Sequence, residues 1–213
     1  MGRLYDISRT IGPELAVWPG DTRFSLKHVL RLDAGDNVNL TTLTMSAHTG
    51  SHADAPYHYD NNGEFIDAVP LNKYIGPAHV ASITRRHGGI VPADFAGRNL
   101  VGVERLLIHT WVSDLPDTHW PDDFPYPTLE LVDWLAEQGV VLLGVDVPSV
   151  DRFDDAELPC HHRLYEHKIV NLETLLLRDV PDGLYELIAL PLKIAGACGS
   201  PVRAVLRTLP GQE

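Results

Sequence analysis

The chain is poor in sulfur and carries no excess of positive charge. Two cysteines, Cys160 and Cys198, in 213 residues are too few for a disulfide framework. Lys plus Arg number 17 against 29 Asp plus Glu, a net charge of −12 with histidine neutral. Such a field repels phosphate backbones and anionic lipid, which excludes a general nucleic-acid binder and a membrane-surface protein. No apolar run approaches the roughly 20 residues of a membrane span. The longest, around Val140 to Val147, is broken by Asp146, and Met1 to Asp6 hold no apolar leader segment. There is no internal repeat, low-complexity tract or run of like charges to divide the chain. These absences read as a soluble, cytoplasmic protein forming one domain over residues 1–213, with 44 % apolar residues to fill its core.

Strand-like segments dominate what is present. Leu4 to Ser8, Leu26 to Leu32, Asn39 to Ala47, Ala78 to Thr84, Arg105 to Thr110, Leu184 to Ile194 and Val202 to Leu209 are rich in Val, Ile, Leu and Thr, several with period-two alternation. The best helix is Leu129 to Gln138, with Thr128 as N-cap, Leu131, Val132 and Leu135 on one face, and Gly139 where a left-handed residue ends a helix. It runs into Val140 to Val145, which reads as a strand buried on both faces. The fold class is therefore α/β, β-rich with a mixed sheet. Ser113 to Pro127 carries four prolines at 116, 121, 125 and 127 and reads as an irregular surface loop.

Histidine is the count that stands out, at 11, and three of them fall with one aspartate in His48-Thr49-Gly50-Ser51-His52-Ala53-Asp54-Ala55-Pro56-Tyr57-His58. Imidazole nitrogen and carboxylate oxygen are the donors of a borderline divalent ion such as zinc, and a metal gives this crowding a purpose. A set of unrelated core or surface histidines is the alternative. All four positions are even, so an extended chain aims them to one side, yet His48 and His52 would then stand about 13 Å apart along the strand. The chain must bend. Gly50 permits the dihedrals of a bend, and Pro56 bars a continuous helix, so the cluster is placed on a kinked loop after a strand ending near Ala47. A second set, His161 in Cys160-His161-His162 before a short helix and Glu173 in Asn171-Leu172-Glu173, is unremarkable by itself. Cys160 reads as a small buried thiol rather than a nucleophile, and Gly196 to Pro201 as a turn before the last strand. Asp146 reads equally as a functional group at a strand end or as the cap of the next turn. The remaining isolated histidines, His119 among them, read as structural or solvated.

His48 to His58 resembles the H-x-G-T-H-x-D-x-P-x-H signature of the metal-dependent cyclase/hydrolase family, which includes bacterial kynurenine formamidases, with Ser51 keeping the hydroxyl of the usual Thr. The resemblance extends to Val17-Trp18-Pro19-Gly20-Asp21, to Asp146 through Asp151, to the His161 and Glu173 pair, and to Gly199-Ser200-Pro201-Val202-Arg203. It implies a swivelling β/β/α fold and a homodimer or larger homo-oligomer. It also implies that His48, His52 and Asp54 hold one ion, that Asp54 bridges to a second held by His161 and Glu173, and that His58 acts in catalysis. The ions would be zinc, with manganese acceptable to the same donors. Trp18, in Trp-Pro-Gly-Asp, points to the formamidases and to a small-molecule substrate stacked on its indole. The implied reaction converts N-formyl-L-kynurenine to L-kynurenine and formate in tryptophan breakdown. The same chemistry on another amide or an isatin-like cyclic imide, a cyclisation, and a metal-binding protein without turnover are the alternatives; an additional unligated His58 has no use in the last.

Overall fold

The computed structural model of the protein describes residues 2–211. It opens with β1 (Leu4–Asp6), followed by β2 (Ser25–Leu30) and β3 (Leu40–Thr44), which pair with each other as a hairpin outside the main sheet. Next come β4 (His52–Asp54), β5 (Ile75–Ser82), β6 (Gly89–Ile90), β7 (Arg105–His109) and β8 (Tyr126–Pro127). The first helix, α1 (Leu129–Glu137), leads to β9 (Leu142–Val145), α2 (Pro159–Glu166) and β10 (Val170–Glu173). β11 (Gly183–Ile188), β12 (Gly199–Pro201) and β13 (Val205–Thr208) complete the chain.

Nine strands make one mixed sheet in the order β1-β13-β11-β5-β7-β9-β10-β4-β12, as the α/β expectation requires. Its centre, β5-β7-β9-β10, is parallel, and the flanking pairs are antiparallel. Central strands alternate between two cores, as a period-two strand with both faces covered must. Leu107 and Leu142 point into one core with Ile7, Leu172 and Leu206. Leu106, Ile108, Leu143 and Val145 point into the other, under the helices. There α1 buries Leu131, Val132 and Leu135 fully, each contributing about 1.5–3 kcal/mol. Leu131 N–H donates to Thr128 Oγ1 at 3.2 Å, the expected N-cap.

Two sequence readings need correction. The metal-ligand cluster is not one kinked loop, because His52–Asp54 is a strand clamped between β10 and β12. Gly199–Pro201, read as a turn, is that edge strand β12. Both segments are three residues long, too short for alternation to be visible, and they exist because neighbours pair with them.

The cluster, its pocket and its relatives

The site is built by strand register. β4 lies antiparallel to β10 with His52 opposite Glu173, which sets an imidazole beside a carboxylate. His52 and Asp54, two residues apart, share one face, while Ala53 between them enters the core. Ahead of the strand the backbone turns through Gly50 at φ +66°, as the sequence required, and brings the His48 and His52 rings to 5.0 Å.

Two donor sets with a carboxylate result, one of His48, His52 and Asp54, the other of Asp54, His161 and Glu173, and a third without one joins His48, His58 and Cys198, each with its donor atoms within 4.8 Å of one another. Asp54 stands in both carboxylate sets. Its Oδ1 lies 2.9 Å from His48 Nδ1 and 3.3 Å from His52 Nε2, and its Oδ2 lies 3.3 Å from His161 Nε2. Glu173 also reaches two ways, with Oε2 3.5 Å from His52 Nε2 and Oε1 3.4 Å from His161 Nε2. All these side chains except His48 are buried.

The chemistry of the set fits divalent metal. Two facing carboxylates are buried, and among the described residues no Lys or Arg pairs with either. Burial opposes charging His52, but its hydrogen bonds to Asp54 and Glu173 prevail and pull its pKa up to about 10. Burial likewise opposes charge on His161, where Asp151, Asp54 and Glu173 outweigh it and raise the pKa well above the ordinary value. Burial raises Asp54, yet hydrogen bonds from His161, His48 and His52 hold it well below the usual carboxylate range. The cavity thus demands positive charge. Its histidines also offer the right nitrogens: His52 Nδ1–H donates to Gly50 O at 2.8 Å and His161 Nδ1–H to Asp151 Oδ2 at 2.6 Å, leaving Nε2 of each toward the carboxylates.

Asp151 and Asn171 are the site residues that sequence reasoning missed. Asp151 caps α2, accepting the backbone N–H of Cys160 at 2.7 Å and of His161 at 3.0 Å, and with the same carboxylate it fixes the His161 ring. His161 is therefore inside the helix and buried, not before the helix as the sequence reading placed it. Asp151→Ala is expected to weaken metal binding by about 10–100-fold, read by chelator competition, and to cost about 1 kcal/mol of stability as a lost cap. Asn171 donates to Asp54 Oδ2 at 2.6 Å and to Glu173 Oε1 at 3.2 Å. The i, i+2 spacing of Asn171 and Glu173 was its available signal.

His58 stands apart from both carboxylate-containing sets. It follows the strand on a single 3₁₀ turn (Pro56–His58), its ring tilted by 35° against that of His48 at 4.0 Å and lying 6.0 Å from that of His161. The residue keeps contact with solvent, but the walls around its ring strip hydration and lower its pKa; Asp54 opposes this and His48 adds to it.

The donors open on a cavity of about 460 Å³, of a size that holds a small molecule. Facing them are Leu15, Val17, Trp18, Val112, Leu115, Trp120, Pro121 and Pro148. Trp18 packs edge-on against Trp120 at 5.6 Å and tilted over Phe153 at 4.9 Å. The proline-rich segment is a wall of this cavity, contributing Leu115, Asp117, His119, Trp120 and Pro121. It is tied down by Arg9 to Asp117 at 2.8 Å and by Arg178 to the carbonyls of Ser113 and Leu115 at 3.0 and 3.1 Å. His119, set aside on sequence, lines the cavity. Asp146 lines the cavity, and the turn it holds is not the next one but that after β7: it accepts hydrogen bonds from Thr110 N, Thr110 Oγ1 and Ser113 Oγ at 2.7–2.8 Å. Cys160 is buried, donates to Pro127 O at 3.0 Å, and burial pushes its thiol pKa up, which favours the thiol over the nucleophilic thiolate, in keeping with the small buried thiol read from the sequence.

Residues 5–152 match the sequence model of the Cyclase family. The chain is 45 % identical over 204 residues to the kynurenine formamidase of Bacillus cytotoxicus, covering 96 % of this chain and 97 % of that protein. It is 43 % identical over 208 residues to the kynurenine formamidase of Salinibacter ruber, covering 97 % and 98 %. Isatin hydrolase A from Labrenzia aggregata, solved with benzyl benzoate, matches with a TM-score of 0.82 at 26 % identity, covering 97 % of this chain and 93 % of that one. A structure described as a potential metal-dependent hydrolase with cyclase activity shares the fold, with a TM-score of 0.85 at 24 % identity over 98 % and 99 % of the two chains. A family match over well more than half its length, with relatives aligned along nearly all of it, makes this chain a member of the cyclase family.

Proposed function

We propose that this chain is a metal-dependent arylformamidase, hydrolysing the formamide of N-formyl-L-kynurenine to L-kynurenine and formate. The observation that carries the reading is a pair of carboxylate-containing donor sets sharing the buried Asp54, open to an aromatic-walled cavity that His58, outside both sets, also lines. The two kynurenine formamidases at 45 % and 43 % identity support the choice of substrate.

His48, His52 and Asp54 would hold one ion and Asp54, His161 and Glu173 a second; two zinc ions would suit these donors. When bound, such ions supply Lewis acidity, easing deprotonation of water and polarising the formyl oxygen. The remaining steps belong to the chain. His58 accepts a proton from the attacking water and returns it to the departing aniline nitrogen, a role open to a ring outside the carboxylate sets. Trp18, braced by Trp120 and Phe153, stacks on the aryl ring and holds the formyl group toward the donors. The apolar wall opposite limits the water that reaches the site.

The working unit in this reading is one domain of residues 1–213, cytoplasmic and homodimeric. Its two cysteines are unpaired, in keeping with a reducing compartment, and no helix among the described residues is long and apolar enough to cross a membrane. The β2–β3 hairpin exposes Leu26, Val29, Leu40 and Leu43, and a lone two-stranded hairpin is marginal in water, which supports pairing with a second copy.

The test is a spectrophotometric assay of N-formyl-L-kynurenine hydrolysis by purified protein before and after chelation and zinc or manganese return. Activity should vanish on chelation and recover with metal. Protein shown to contain metal yet inert toward this substrate, but active on a cyclic imide, would overturn the substrate and leave the metal chemistry standing.

A further inference from the structure

Each histidine that faces Asp54 has a second ring nitrogen, and its partner decides which nitrogen is free to ligate. For His52 that partner is the Gly50 carbonyl and for His161 the Asp151 carboxylate. His48 is different. Its Nδ1 faces Asp54 at 2.9 Å, and its Nε2 lies 3.2 Å from Cys198 Sγ.

We propose that Cys198 is the positioning residue of His48, its sulfur accepting the Nε2–H hydrogen bond that leaves Nδ1 as the ligating nitrogen. This rests on the metal reading above. A neutral imidazole has one proton; once Nδ1 offers its lone pair to a cation, that proton sits on Nε2, and among the described residues Sγ is the acceptor within reach. The backbone that carries the thiol is tied to β4. Cys198 O accepts the N–H of Ala55 at 2.9 Å, and Gly199 next to it pairs with Asp54 across β12 and β4. Gly199 completes the seat, since a Cβ there would stand 2.8 Å from His48 Cε1 and 2.9 Å from Ala53 O. The edge strand thus presses a flat backbone and a sulfur acceptor against the one ligand histidine that is not buried. Of the three ligand histidines, His48 is the one whose orientation depends on a weak acceptor. The first metal position should accordingly be the looser of the two.

The experiment is a metal titration of wild type, Cys198→Ala and Cys198→Ser, with zinc affinity read by chelator competition and coordination by the visible spectrum of cobalt-substituted protein. No substrate is used. Ala and Ser fill similar space but only Ser presents an acceptor, so packing alone would affect both alike. Cys198→Ala is expected to bind one ion about 10–100-fold more weakly and to alter the cobalt bands of that ion alone, while Cys198→Ser stays close to wild type. Wild-type affinity and spectrum in Cys198→Ala, or equal losses in Ala and Ser, would overturn the proposal. Wild type that takes up no metal would instead overturn the metal reading on which it rests.

Discussion

Asp54→Ala is expected to abolish metal binding and turnover together, the largest effect of any single substitution in this chain. Asp54 is the one residue common to both carboxylate-containing donor sets, and its two oxygens face three imidazoles. Its removal also takes the shorter of two partners from the buried Asn171 amide, which donates to Asp54 at 2.6 Å and to Glu173 at 3.2 Å, at a cost of about 1–3 kcal/mol. Some loss of stability must therefore be separated from loss of metal. Metal content by elemental analysis and folding by thermal melting, measured on the same preparation, make the separation: the expected result is a folded, metal-poor, inactive protein. A variant that retains both ions would refute the shared-ligand arrangement.

His58→Ala should give the opposite pattern, with metal retained and kcat lowered by about 10²–10⁴-fold. The His58 ring contacts His48 but belongs to no donor set with a carboxylate, so its loss leaves Asp54, Glu173 and their histidines in place. The effect should fall on kcat rather than KM, because moving a proton in the transition state contributes little to holding the ground state. Metal-free His58→Ala protein would make His58 a ligand and remove it from the proton-transfer role. The two variants together distinguish a ligand from a base, which neither does singly.

The fold was legible in the sequence where a segment carries its own pattern. The helix from Leu129, capped by Thr128, was read to within a residue of its observed end at Glu137, and the run before Asp146 was recognised as a strand covered on both faces. Short strands were not legible. β4 and β12 have three residues each, and what makes them strands is hydrogen bonding to partners far off in sequence, as in Ala53 paired with Leu172 and with Ser200, 119 and 147 positions away. Local composition holds no record of such a partner.

The sequence by itself determined the donor chemistry: three histidines and an aspartate within eleven residues, a glycine to bend the chain between them, and a net charge hostile to polyanions. Those are properties of residue type and spacing, and covalent connectivity keeps the residues near one another in any fold. Tertiary structure alone decided the rest. It brought His161 and Glu173, more than a hundred residues downstream, onto Asp54 through the β4–β10 register and the seating of α2. It also assigned each ring its orienting partner: Gly50 for His52, Asp151 for His161 and Cys198 for His48. The reason is physical. A donor's identity resides in its side chain, but the nitrogen it presents and the direction of its lone pair depend on hydrogen bonds of a few ångströms that only the packed chain can make.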